Sequence, residues 1–165
     1  MVRVWLIAAV LLAVSLLAVL SSRGVYSAAG QSMMPTLPRD QRFVVDKLAY
    51  GVSLYSLPFG VGRQAAPDNN LAVVWATPER GDIVLFRDPT NSSRMLVKRV
   101  IAIEGDRVAM VAGRLWLNGE LISREARSSI QVRDFAGHQQ EQQVYEETLA
   151  TGVAYEIIEI GDQQR

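Results

Sequence analysis

Among its 165 residues the sequence has no cysteine and a single histidine. The first absence excludes a disulfide framework, a thiol nucleophile and any cysteine metal site. The second leaves a zinc centre built on imidazoles without ligands. That histidine, His138, lies in the polar run GHQQEQQ. It reads as a solvated loop residue, and nothing brings it to a serine as part of a Ser-His-Asp triad. An excess of charge is also missing: 17 basic residues face 17 acidic ones. No electrostatic footprint for nucleic acid is expected. The length suits one domain of ordinary size.

What the chain does have is one long apolar run. Residues 4–22, VWLIAAVLLAVSLLAVLSS, carry no charge and lie between Arg3 and Arg23. At 1.5 Å of rise per residue a helix of this length spans roughly 28 Å, close to the hydrocarbon core of a bilayer. Trp5 stands where an interfacial aromatic belongs. A cleavable signal peptide is the competing reading, with Arg3 as its basic start and SAA at 27–29 as a small-residue cleavage site.

Beyond Arg23 the pattern predicts strands. RFVVDKLAY at 42–50 is a short apolar run, and 50–62 reads as an extended loop followed by a turn at 63–70. LAVVWA at 71–76 is either a short buried strand or a loop touching a membrane face. GDIVLF at 81–86 starts a strand that DPTNSS at 88–93 ends, and MLVKRVIAI at 95–103 forms the next, closed by EGD at 104–106. RVAMV, LWL and ELI follow, joined by AGR and by Asn118-Gly119, a strong hairpin signal. Residues 123–147, polar and rich in Gln and Glu, read as loop, and AYEIIEI at 154–160 as one more strand. The fold class expected is therefore mainly β, an antiparallel domain over 23–165 behind one transmembrane helix at 4–22 and a short terminus at 1–3.

Two residues carry candidate chemistry. In LVKRVIAIEGD, alternation puts Leu96, Lys98, Val100 and Ala102 on one strand face and Val97, Arg99 and Ile101 on the other. Small and aliphatic neighbours favour Lys98 as the enclosed cation. Burial lowers a lysine's pKa, and a neutral amine can take a proton from a serine hydroxyl. Equally, Lys98 reads as an edge-strand lysine that blocks strand pairing. Ser32, in GQSMMPTLPRD, is a nucleophile on one reading and a turn serine on the other.

The order of these segments resembles the bacterial type I signal peptidases, membrane-anchored serine proteases with a Ser-Lys dyad. SMMPTL (32–37) is similar to their nucleophile motif, RGDIVLF (80–86) to their second motif and VKRVIAIEGD (97–106) to the motif of their general-base lysine. RFVVDKLAYG (42–51) fits as well, and the resemblance covers residues 1–125 closely and 144–160 loosely. It implies that Ser32 is the nucleophile and Lys98 the base of an endopeptidase that removes signal peptides from exported proteins after small residues. It calls for no cofactor and no metal. Its partners would be signal peptides of preproteins, membrane lipid and the translocation machinery. The N-terminus would be cytoplasmic and the domain on the outer side of the bacterial inner membrane. An oxyanion donor is implied in the Ser32 N–H, whereas the position where some relatives add a hydroxyl is Gly30. Shallow apolar subsites are implied too, with Met33, Ile83, Leu85 and Leu96 as candidate walls. Met34 and Pro35 would pack and set the turn, and Thr36, Gly81, Asp82, Arg99, Gly105 and Asp106 would be structural. The family's GDNR…S.DSR stretch has only GDQQR as a counterpart, at residues 161–165. A truncated chain is the expectation that follows. A specialised Ser-Lys processing peptidase of the conjugation-protein maturation type, and a catalytically inactive membrane-tethered β module, are the alternatives.

Overall fold

The computed structural model describes residues 2–53, 56, 72–133 and 137–159, with the side chains of 2, 14, 16–21 and 92 outside the described set. One helix and twelve strands fall within it. They divide between two compact units, the first made of Met1–Tyr26 with Arg42–Thr77, the second of Ser27–Gln41 with Pro78–Arg165.

In the first unit α1 spans Val2–Ser21, twenty residues. Its described apolar side chains, among them Trp5, Ile7 and Leu12, are exposed. Among the described residues, no helix is long and apolar enough to cross a membrane. β1 (Arg23–Ser27) pairs with β2 (Arg42–Asp46), and β3 (Gly51–Ser53) pairs antiparallel with β4 (Ala72–Val74). Tyr26 stacks on Phe43, ring centroids 6.3 Å apart. β4 is a strand, as one reading of 71–76 had it, but all three of its residues are exposed and none is buried. The extended loop and turn expected between residues 54 and 71 lie, apart from Ser56, outside the described residues.

The second unit is built from antiparallel ribbons. β5 (Ile83–Asp88) pairs with β6 (Asn91–Arg99). β6 starts earlier and stops earlier than the apolar run predicts. Its connection to β5 needs only Pro89 and Thr90, because Asp88 Oδ1 accepts both the Thr90 N–H at 2.9 Å and the Thr90 hydroxyl at 2.6 Å. β7 (Val108–Val111), β8 (Arg114–Leu117) and β9 (Glu120–Leu121) form a meander. Its second turn is Asn118-Gly119, at φ 55° and 86°. Two positive φ values match the right-handed twist of the flanking strands, and Asn and Gly adopt them at low cost.

The loop expected over 123–147 is not there. β10 (Ser123–Arg133) and β11 (Gln139–Thr148) make a long antiparallel hairpin, and β12 (Ala154–Ile158) pairs with β11. Most of β10 is solvated on both faces, so no apolar alternation marks it. Cross-strand polar contacts take the place of apolar pairs: Arg127 meets Glu146 at 2.5 Å, and the Ser129 hydroxyl donates to Glu141.

The core of this unit is small. Leu115 and Leu117 of β8, Ile122, Leu149 and Tyr155 of β12 form it, with Ile101, Ala102, Val153 and Ile157 packed against them. Leu149 is the deepest, at 1% exposure. These contacts bring β12 and the segment after β6 to one place, and the site lies there.

Candidate active site

Ser32 sits in a turn over residues 30–37. The Met34 N–H donates to Gln31 O at 3.0 Å, and the Leu37 N–H to Met33 O at 2.8 Å. Met33 is buried and Ser32 exposed. Neighbouring side chains of a tight turn diverge, so seating Met33 in the protein directs Ser32 outward. The Met34–Pro35 peptide is cis. At Gly30 an added Cβ would meet nothing within 4 Å.

Lys98 reaches this turn from β6, its Nζ 2.5 Å from Ser32 Oγ. The register pairs Lys98 with Val84 and Leu96 with Phe86, which puts those four side chains on one sheet face. Ile83, paired with Arg99, and Leu85, paired with Val97, lie on the reverse face. The expected enclosure of Lys98 over Arg99 needs correcting, since both are half-buried. Arg99 Nη1 donates to Gly81 O at 2.8 Å and Nη2 to Thr36 Oγ1 at 3.1 Å. Its guanidinium lies 5.1 Å from the centroid of the Tyr155 ring. Burial pushes the Arg99 pKa below its ordinary value, while Tyr155 acts in the opposite sense. Sequence alternation could not choose between the two cations, because the strand is partly covered on both faces.

A pocket of about 320 Å³ opens beside Ser32, lined by Gln31, Met33, Met34 and Thr36 of the turn, by Arg99, Ile101 and Leu115, and by Arg124, Glu147, Tyr155 and Ile157. Its charged wall is a closed network. Glu147, 3% exposed, accepts from Arg124 Nε at 3.0 Å and Nη2 at 2.7 Å on one oxygen, and from the Tyr155 hydroxyl at 2.9 Å on the other. Arg124 Nη2 also donates to Gly113 O at 2.9 Å. Burial first, then the hydrogen bond to Glu147, raises the Tyr155 pKa above the usual tyrosine range. A buried carboxylate needs a cation and hydrogen bonds to be tolerable, and Glu147 has both.

The expected structural residues frame the β5–β6 ribbon. Gly81 adopts φ 100°, and its N–H donates to Val100 O at 2.7 Å. Asp82 accepts the Glu79 N–H at 2.9 Å through its side chain and the Val100 N–H at 2.8 Å through its carbonyl. Gly105 and Asp106 lie in the turn after residue 103, and Asp106 accepts the Ile103 N–H and the Asn118 amide, both at 2.9 Å.

Of the sequence candidates, Ser32, Met33, Thr36 and Arg99 line the pocket, and Lys98 touches Ser32. Ile83, Leu85 and Leu96 are not among its lining residues, Leu96 sharing the Lys98 face. Gln31, Arg124, Glu147 and Tyr155 were not singled out from the sequence. A glutamate inside the run QVYEETLA, where apolar neighbours signal cover, is the trace that could have pointed to Glu147.

Comparison with known proteins bears on this site. Signal peptidase I of Rickettsia bellii (strain OSU 85-389) is 33% identical over 124 residues, 75% of this chain and 40% of that protein. Signal peptidase I of Buchnera aphidicola subsp. Baizongia pistaciae is 38% identical over 78 residues, 47% of this chain and 22% of that protein. For Signal peptidase I of Pseudomonas aeruginosa the figures are 34% over 95 residues, 57% and 30%. The chain thus spans less than half the length of these relatives. The family described as "Signal peptidase, peptidase S26" matches residues 1–158, so nearly the whole chain, the Ser32 turn, the Lys98 strand and the pocket wall included, belongs to the S26 signal peptidases.

Proposed function

We propose that this chain is a membrane-bound serine endopeptidase that removes N-terminal signal peptides, with Ser32 as nucleophile and Lys98 as general base. The observation that carries this reading is the 2.5 Å approach of Lys98 Nζ to Ser32 Oγ between segments 66 residues apart. In the neutral form Lys98 takes the Ser32 proton as Oγ attacks the scissile carbonyl. The same proton passes to the departing amine nitrogen, the peptide bond breaks and an acyl-enzyme remains. Water, deprotonated by Lys98, attacks the ester, and the proton returns to Ser32 Oγ as the new carboxyl terminus leaves. The Ser32 N–H is the donor proposed for the oxyanion. Met33, in the pocket wall next to the nucleophile, supports an apolar subsite for small side chains.

Residues 4–22 serve as the anchor in this reading, with residues 1–3 cytoplasmic and the catalytic part outside. A helix apolar on every side has no water-facing stripe and needs an apolar surrounding. The described side chains of α1 support this, Val4, Leu6, Val10 and Leu11 each being at least 60% exposed.

The test uses the full chain in membranes with a precursor bearing Ala-X-Ala before its cleavage point. Cleavage that disappears in Ser32→Ala, Lys98→Ala and Lys98→Arg is expected, the last because arginine does not lose its proton. Turnover that survives Lys98→Ala sinks the dyad. Extraction of the chain from membranes by alkaline carbonate would sink the anchor.

A further inference from the structure

Ser32 and Lys98 share no secondary structure: one is on a surface turn, the other on a strand. The turn is held at both ends. On one flank the Gln31 side chain donates to Arg133 O of β10. On the other, Thr36 Oγ1 accepts from Arg99, the residue next to Lys98. We propose that Arg99 is the positioning residue of the site. Its fork ties the far end of the Ser32 turn to Gly81, and the buried Tyr155–Glu147–Arg124 unit keeps that fork aimed. This rests on the reading of Ser32 and Lys98 as nucleophile and base.

The argument is one of degrees of freedom. A free arginine samples many rotamers, and fixing it costs entropy. Here the guanidinium lies over the Tyr155 ring, 5.1 Å from its centroid, a cation–π contact that restricts that freedom before the hydrogen bonds form. The ring is itself fixed, because its hydroxyl donates to a carboxylate held by two nitrogens of Arg124. With the Glu147 charge met by Arg124, the hydrogen bonds of Arg99 among the described residues go to neutral oxygens, on the Ser32 turn and at the head of β5. A proton transfer depends steeply on the separation of its two heavy atoms, so a loosened turn lowers turnover rather than binding.

The experiment takes the full chain in detergent micelles and compares wild type with Thr36→Val, Thr36→Ser and Tyr155→Phe. Thr36 is exposed, so exchanging its hydroxyl for a methyl leaves the core alone. Amide hydrogen exchange over residues 31–37 should become about tenfold faster in Thr36→Val, the effect of losing one hydrogen bond to a charged donor. The kcat for precursor cleavage should fall by at least that factor with KM unchanged, and Thr36→Ser should restore both. Tyr155→Phe, which keeps the ring but frees it from Glu147, should shift both readouts in the same direction by less. Unchanged exchange in Thr36→Val overturns the tether. Faster exchange with unchanged kcat, where wild type is active and Ser32→Ala is not, overturns the positioning role while leaving the dyad intact. A wild type no more active than Ser32→Ala sinks the dyad reading, and the positioning role with it, whatever exchange shows of the tether.

Discussion

Arg80 grips the Asp106 carboxylate with both arms of its fork, Nε at 2.8 Å and Nη2 at 2.6 Å. Twenty-six residues separate the two, and between them lies the whole β5–β6 ribbon with Lys98 on it. The pair closes the ribbon at its open end. The Arg80 hydrogen bonds come first among the causes that hold the Asp106 carboxyl well below the usual carboxylate range, followed by those from Asn118 and the Ile103 N–H.

A depressed carboxylate stabilises the folded state above its unfolded pKa, near 3.9, and loses that contribution as pH falls through the folded value. Asp106→Asn should therefore lower the melting temperature at pH 7, and the gap from wild type should narrow progressively as pH falls below about 4. Melting curves from pH 7 to pH 2 check this. A gap that stays constant would show that Asp106 acts through shape rather than charge.

Gly81→Ala should be among the most damaging small substitutions. The position needs φ 100°, and an added Cβ would stand 2.5 Å from Val153 Cγ1. Strain and overlap together should cost about 2 kcal/mol or more. Urea unfolding monitored by tryptophan fluorescence measures it, with Gly30→Ala, where the space is open, as the comparison.

Gly30→Ser tests the oxyanion side of the proposed mechanism. An added Cβ there meets nothing within 4 Å, and its hydroxyl would stand two residues before the proposed nucleophile. Removing one oxyanion donor from an enzyme that has it costs about 10²–10³ in kcat, so supplying one should raise turnover about tenfold or more. Equal kcat in Gly30→Ser and Gly30→Ala would mean that the site is already served by another donor.

Two cross-strand ion pairs described in the long ribbon should behave differently. Glu147→Ala removes the 2.7 Å partner of Arg124, whose side chain is 8% exposed, and leaves it the 3.5 Å contact to the half-exposed Glu159. A loss of about 3 kcal/mol is expected, measured by chemical denaturation. Arg127→Ala breaks an equally short contact, but Arg127 is 44% exposed, and the loss should stay below about 1 kcal/mol.

How much the sequence discloses depends on how local the cause is. Asn118-Gly119 could be read as a hairpin turn because the turn chemistry lies in two adjacent residues. Ser32 and Lys98 could be read as partners only through the order of their motifs, a signal that spans the chain. β10 could not be read at all: its exposed Ser, Arg and Gln residues earn their place by pairing with β11, and no window of one strand contains the other. Arg99 was misjudged for a related reason. Its cover comes from Tyr155, fifty-six positions away, so its own neighbours on β6 say nothing of it.

The β7–β9 meander has a kinetic consequence. Its strands close through short local turns, while Leu149 and Tyr155 must arrive from far along the chain. Local pairings form before distant ones, because little loop entropy opposes them. The meander is then expected to form early, and the β12 docking that completes the pocket late. Chevron kinetics should show Leu117→Ala slowing refolding and Leu149→Ala chiefly hastening unfolding. The chain would acquire its charged pocket wall last on the way in and lose it first on the way out.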